Sequence, residues 1–385
     1  MARARALPGL LRDLNERTVL ELIRVGAPIS RAEISRRAGI SKPTVSLALR
    51  SLLEAGIVRE TSLEPGRPTY GAVYFEPVPD AAVVLGFDLG ARFLRGALCD
   101  LRGDLRARHD VEVAGAGIAE IVEATAALQS SLLETSGLAA GVVDGAVVGV
   151  PGVVPTETGL VAVPGDIPGL GEHALGAELE DRLGLPVTLE NDVNLAALGE
   201  QWRGVAQGVD DFAFLSVGTG LGAGIVLDGR LHRGRNGAAG ELDYVRSGRP
   251  DDVDPSAGAI SAYAATLGKG AATTLEPPFD TRAIFAAARA GDPTAAAVVE
   301  ETARRIALHV LPIAATVDVS LVVLGGGIGT NGDLLLDPVR RLLAGWLPFP
   351  PRLEVSSLGD GAVLTGALAT GVRAAHESVF TRRAR

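Results

Sequence analysis

The 385-residue sequence predicts an α/β protein in two parts: a helix-turn-helix head with a β-hairpin wing, then a larger, duplicated α/β body with a cleft between its halves. Three observations carry this. The first sixty residues hold eleven Lys/Arg against six Asp/Glu on a chain of net charge −10, which leaves +5 on that segment and −15 on the rest. Within it, helix, short helix, glycine turn and helix follow one another. Farther on, strand, glycine turn, strand and polar hairpin occur twice, the mark of an internal repeat.

In the head, Arg17–Ala27 spaces Val19, Leu20, Leu22 and Ile23 as one helical stripe that Gly26 ends. Ser30-Arg31-Ala32-Glu33 reads as a capping box, in which the serine hydroxyl caps a free N–H and the glutamate reaches back. That helix runs to about Ala38, and Gly39 supplies the turn. Ser41 caps a third helix with Pro43 in its first turn, where a missing N–H costs nothing. Val45, Leu47, Leu49, Leu52 and Leu53 are expected to form its buried face, and Gly56 to stop it. Two β-prone runs, Ile57–Ser62 and Thr69–Phe75, then make a wing around Leu63–Pro68. Such a head is expected to enter the DNA major groove with the start of the third helix. Ser41, Lys42, Thr44, Ser46 and Arg50 would face bases and phosphates, and Arg67 at the wing tip a narrow minor groove.

Composition narrows the function classes. Apolar residues at 47% and charged residues at 21% describe a globular protein. No apolar run approaches the roughly 18 to 20 uncharged residues of a membrane span, and Met1–Leu11 lacks a signal-peptide core. A cytoplasmic protein with no membrane partner is expected. The single cysteine, Cys99, excludes an intramolecular disulfide and a multi-cysteine zinc site, and reads as a small buried apolar residue. The five histidines are scattered and read as structural or surface groups.

Pro77-Val78-Pro79 reads as a stiff linker into the body. Ala82–Asp104 reads as strand, the turn Gly86–Gly90, strand and polar hairpin, and Phe212–Arg230 repeats this around Gly218–Gly222. Three glycine-bearing turns, at Asp88-Leu89-Gly90, at Gly218-Thr219-Gly220-Leu221-Gly222 and at Gly325-Gly326-Gly327, would face the cleft. Each has backbone N–H groups able to approach a phosphate. Between the first two, Glu190-Asn191-Asp192-Val193-Asn194 closes a strand and opens a helix. A carboxylate beside amides suits a polyol, although a helix cap alone would also account for Asn-Asp there.

These motifs resemble the ROK family of repressors, open reading frames and sugar kinases. The resemblance rests on Val150-Pro151-Gly152-Val153, Glu190–Asn194 with Leu198-Gly199-Glu200, Gly218–Gly222 and Asn236–Leu242. It implies an actin-like, hexokinase-like ATPase fold of two lobes behind a winged head. The head is expected over residues 1–77 and the body over 78–385, with one lobe at about 81–192 plus a final helix at about 361–385, and the other at about 193–360. It also implies that Asn191, Asp192 and Glu241 contact a sugar, with Asp166 a weaker candidate, and that Asp192 is the general base in the family's kinases. Nucleotide would fall to Asp88, Gly90, Gly218, Thr219, Gly220, Gly222 and Gly326.

The departures are equally informative. Tyr244 stands at the family's zinc-ligating histidine, and Asp252, Asp254 and Ala259 stand where cysteines should be. Structural zinc needs thiolates or imidazoles, so none is expected, and a solvated acidic loop accounts for the two aspartates. Ser261 replaces a further glutamate, and Ala91 and Arg92 replace a glycine and a threonine in the first phosphate turn. The expectation is a transcriptional regulator, on balance a repressor, that binds a sugar or sugar derivative without efficient catalysis. It would act as a homodimer or higher homo-oligomer on an inverted-repeat operator; the alternative is a sugar kinase with an accessory DNA-binding head.

Overall fold

A computed structural model describes residues 8–62, 72–155, 160–162, 167–242 and 253–381. The head opens with α1 (Pro8–Gly26), which begins nine residues before the predicted stripe, then β1 (Ile29–Ser30) and α2 (Arg31–Ala38). Ser30 caps α2 by accepting the Glu33 N–H at 3.3 Å, and Gly39 leaves it with φ +65°. Only half of the expected capping box forms, because the Glu33 carboxylate turns outward to Arg36 and Arg37. Two guanidiniums on the same helix outcompete one backbone N–H for it. Ser41 caps α3 (Lys42–Glu54) through the Thr44 N–H.

The buried face of α3 is Val45, Ala48, Leu49 and Leu52. Leu47 is 53% exposed, against expectation. The wing strands are β2 (Val58–Thr61) and β3 (Tyr74–Pro77), with β1 on the other side of β3. Pro77 therefore belongs to the wing, paired with Val58, rather than to a linker; residues 79–81 form one turn of 3-10 helix. The wing tip, Arg67 included, lies outside the described residues.

The first lobe is built on β4 (Val83–Leu89), β5 (Phe93–Asp100) and β6 (Leu105–Glu112), then α4 (Ile118–Ser136), β7 (Val143–Val150), α5 (Leu175–Leu183) and β8 (Val187–Asn191). Helix α6 (Asp192–Arg203) leads to the second sheet: β9 (Phe212–Val217), β10 (Leu221–Leu227) and β11 (Arg230–Leu231). Next come α7 (Ala257–Leu267), α8 (Thr281–Arg289), α9 (Pro293–Val317), β12 (Leu321–Gly325), the short α10 (Gly326–Gly329), α11 (Gly332–Trp346) and β13 (Arg352–Val355). The last helix, α12 (Ala362–Thr381), returns to the first lobe and packs on β4, β5 and β7.

The two sheets repeat one plan. Their orders are β6-β5-β4-β7-β8 and β11-β10-β9-β12-β13, each with three antiparallel strands followed by two parallel ones. The predicted duplication is thus present strand for strand. Both sheets are covered on both faces, as parallel strands require. In β4, Val83, Leu85 and Phe87 join the core under α4 and α5, while Val84 faces α12. In β9, Ala213, Leu215 and Val217 face α9 and α11, while Phe212 and Phe214 lie in the core that α6 enters.

Helix α6 is consequently sandwiched between the lobes. Ala196 and Ala197 pack toward the second sheet, and Leu195 and Leu198 pack toward Val147 and Ala367 of the first lobe. Gly222 and Gly224 permit its approach to β10, since a Cβ at either would press on Val193, and one at Gly224 also on Ala197. Across the other face α6 meets α12 at two glycines: a Cβ on Gly199 would strike the Ala362 carbonyl, and one on Gly366 the Leu195 carbonyl. Farther along, Leu364, Leu368, Val372 and Ala375 of α12 belong to one apolar cluster with Val19, Leu20 and Ile23 of the head.

Candidate functional site

The constellation expected to hold a sugar is built where β8 ends and α6 begins. Asn191 is the N-cap of α6: its Oδ1 accepts the Asn194 N–H at 2.9 Å, and its Nδ2 donates to the Gly152 carbonyl at 3.1 Å. Because Asn191 does the capping, Asp192, one position on, is left free of that role. Its Oδ1 accepts the Val193 N–H at 2.8 Å. The side chain is half-buried but ringed by protein. Burial first, then the negative charges of Asp88 and Glu241, push its pKa up to about 7. Asp88 and Glu241, from two distant segments, therefore both act on Asp192.

Glu241 is placed by backbone constraints. The Gly240 carbonyl accepts the Ala223 N–H of β10 at 2.8 Å, and Gly240 takes φ +90° with its Cβ position occupied by the Ala223 carbonyl. Gly237, at φ +77°, brings the same loop against the Val154 carbonyl of the first lobe. Glu190, quoted from the sequence only as part of a motif, proves to be a hub. Its Oε1 accepts the Asn191 N–H and the Asn194 Nδ2, and its Oε2 accepts two N–H groups of Arg233 at 2.6–2.7 Å. Arg233 had no local signal in the sequence, because its partner lies 43 residues away. Asp166 lies outside the described residues.

Glu200, fully buried near the far end of α6, accepts from the Val205 N–H, the Ser356 hydroxyl and the Leu358 N–H. One carboxylate thus ties together both chain crossings between the lobes, the one after α6 and the one before α12.

The expected phosphate corner is differently made. Asp88 is buried at the end of β4 and pairs with Arg95 at 3.0 Å; burial raises its pKa to about 6 against the pull of that arginine. The Gly90 N–H is spent on the Phe93 carbonyl and the Gly218 N–H on the Gly220 carbonyl. Thr219 and Gly220 are exposed at the second turn. Gly326, at φ +76°, packs on Val217, so the second and third turns adjoin. Gly222 is not in a turn: it lies within β10 beneath Val193, where it serves helix packing. Arg92 pairs with Glu112 at 3.0 Å.

Where the family's zinc loop would end, two buried side chains of α9 hold the backbone. Arg305 donates to the Asp254 carbonyl at 2.8 Å, and His309 Nε2 lies 3.0 Å from the Val253 carbonyl. Arg305 also pairs with Glu301 and stacks on Tyr263. The Asp254 carboxylate accepts the Ser256 N–H at 2.8 Å, closing a local turn. Ala259 is in α7; Tyr244 and Asp252 lie outside the described residues.

On the head, Lys42 and Arg50 are exposed. The hydroxyls expected to read DNA are engaged within the head. Ser41 Oγ accepts the Thr44 N–H and shares a hydrogen bond with Thr44 Oγ1 at 2.8 Å, and Ser46 Oγ donates to the Lys42 carbonyl at 2.9 Å. Ser46 also accepts from Arg31 at 3.1 Å, which adds a basic group at this surface that sequence reading missed.

Comparison with known proteins agrees with both parts. Residues 12–59 match a winged helix-turn-helix DNA-binding family, and residues 84–371 match the ROK family. The xylose repressor of Caldicellulosiruptor bescii is 28% identical over 94% of this chain and 96% of its own length. The glucokinase of Streptomyces coelicolor is 29% identical over 74% of this chain and 96% of its own. Among solved structures, a ROK family transcriptional regulator homologous to the E. coli MLC protein superposes with a TM-score of 0.81 at 25% identity, covering 97% of this chain and 98% of that one. A ROK family glucokinase from Streptomyces griseus, in complex with glucose and AMPPNP, superposes with a TM-score of 0.64 at 28% identity, over 75% of this chain and 99% of that one. With three quarters of its length matched and a winged helix-turn-helix in front, the chain belongs to the ROK family.

Proposed function

We propose that this protein is a sugar-responsive transcriptional repressor in which Asn191, Asp192 and Glu241 hold the effector's hydroxyls. The observation that carries the reading is mechanical. The cleft carboxylate sits on the first residue of α6, α6 crosses α12 at Gly199 and Gly366 without an intervening side chain, and α12 shares an apolar cluster with the head. A sugar that draws the lobes together moves α6, and α12 carries the displacement to the DNA-facing surface. The sugar must then bind the two arrangements with different affinity, since only that difference shifts the equilibrium. Two heads in a homodimer would engage an inverted repeat, half-sites about one helical turn apart. The test is a gel shift of the protein on DNA from upstream of its own gene at about 150 mM salt, titrated with a panel of pentoses and hexoses led by xylose. A selective shift reversed by one sugar is expected; the absence of any selective shift ends the reading.

The repressor reading includes loss of efficient phosphoryl transfer. Ala91 and Arg92 replace the residues that would admit a phosphate, and the Gly90 and Gly218 N–H groups are already bonded within their own turns. One observation favours the kinase alternative: a carboxyl titrating near pH 7 is suited to take a proton from a sugar hydroxyl. A coupled ADP-release assay over the same sugars decides. Turnover abolished by Asp192→Asn would establish the kinase; none is expected.

The reading also includes folding without structural zinc, supported by the Arg305 and His309 clamp on residues 253–254. Chelator treatment is expected to leave the melting temperature unchanged. Arg305→Ala should lower it, by about 2 kcal/mol of stability, because the Asp254 carbonyl loses this donor and Glu301 loses one of its two arginines. A melting temperature that falls with chelator would restore a metal to the loop.

A further inference from the structure

We infer that Leu47 is a specificity-determining residue of the head, reading the 5-methyl group of a thymine in the major groove. The inference rests on the DNA-binding reading above. At about 100° per residue, Leu47 points roughly 150° around α3 from the centre of the buried Val45, Ala48, Leu49 and Leu52 face. It is 53% exposed and shares its stripe with Pro43, Ser46 and Arg50. Lys42 and Arg50 of the same helix, and Arg31 bonded to Ser46, make this end of the head basic, which fits a phosphate-lined groove and disfavours an apolar protein partner.

The hydroxyls beside it are engaged within the head. Ser46 Oγ is held between the Lys42 carbonyl and Arg31, and the Ser41 and Thr44 hydroxyls are held by one another. Those bonds fix the helix start and leave the branched apolar tip of Leu47 exposed on the stripe beside Arg50. In the major groove only the thymine methyl offers an apolar surface. Contact between the two removes both from water and leaves no polar atom unpaired, so it discriminates T·A from C·G by the methyl and by position.

The experiment uses the full-length protein. A preferred operator is first selected from a random duplex library, and each thymine of one half-site is then replaced singly by deoxyuridine, which differs only in lacking the methyl. For the wild type, one such replacement is expected to weaken binding about fourfold, the worth of one methyl leaving water. Leu47→Ala, an exposed change in a helix that favours alanine, should bind the unmodified operator about tenfold more weakly and lose nothing further on that deoxyuridine. Repeating the selection with Leu47→Gln should move the preference at that base pair toward adenine on the contacted strand. A wild type that selects no sequence sinks the DNA-binding reading and this inference with it. Sequence-selective binding that is insensitive to every thymine methyl, or a Leu47→Ala variant that keeps both wild-type affinity and the deoxyuridine penalty, overturns the role of Leu47 alone.

Discussion

Asp192→Asn is expected to raise the protein's stability at pH 8 by on the order of 2–3 kcal/mol while removing its response to sugar. The sign follows from the elevated pKa. Below about pH 4 the carboxyl is neutral in the folded and unfolded chain alike. As pH rises toward 7 the unfolded chain releases the proton and the folded chain, where Asp192 titrates near 7, keeps it. Stability therefore declines between those limits, and above them the folded state carries an ionised group among Asp88, Glu241 and apolar surroundings. Asparagine removes that burden without changing the outline of the side chain. Thermal melts of wild type and variant at pH 4, 6 and 8 should diverge with rising pH, the variant melting higher, and operator binding by the variant should persist at every sugar concentration. Coincident melting curves at pH 8 would refute the electrostatic account. The same pKa makes effector affinity in the wild type fall as pH drops below about 7, because the protonated acid loses one of its acceptor sites.

The second large effect is expected at the helix crossing. Gly366→Val places a branched side chain where the Leu195 carbonyl now lies, and should cost roughly 2–4 kcal/mol through forced separation of α6 and α12. Gly366→Ala puts a Cβ on the same carbonyl and forces the helices apart too, with less bulk than valine to accommodate. It should leave a folded protein that binds operator yet needs several-fold more sugar for release, since the two helices no longer move as one body. Gly345→Ala, in α11 with nothing within 4 Å of the new methyl, serves as the control and should be neutral or slightly stabilising. Urea melts read the stability and half-release concentrations read the coupling. A Gly366→Ala variant with wild-type release would show that the signal takes another route.

The parts of this architecture written locally were legible in the sequence. Ser30, Gly39 and Ser41 announced the helix boundaries of the head because caps and left-handed turns depend on neighbours a few residues away. The paired strand–glycine–strand segments announced the duplicated sheets for the same reason. What escaped was non-local. Glu190 and Arg233 meet across 43 residues, Glu200 and Ser356 across 156, and Arg305 reaches back 51 to Asp254. Leu47 was assigned to the core by residue type, although its angular position on α3 puts it opposite Val45 and Leu49. Gly222 was assigned to a phosphate turn by spacing, although the strand had already begun at Leu221 and the glycine clears space for Val193. In both cases the chemistry of the residue was read correctly and its direction was not.

The apolar cluster shared by head and body has a practical consequence for anyone recombining such regulators. Val19, Leu20 and Ile23 are buried in the same cluster as Leu368, Val372 and Ala375, so residues 8–77 cut out alone would expose surface evolved to stay dry. Chimeras that graft this head onto another family member's sensor must carry the matching face of the terminal helix with it. Without that face, a fusion would inherit the binding preference and lose the obedience to ligand.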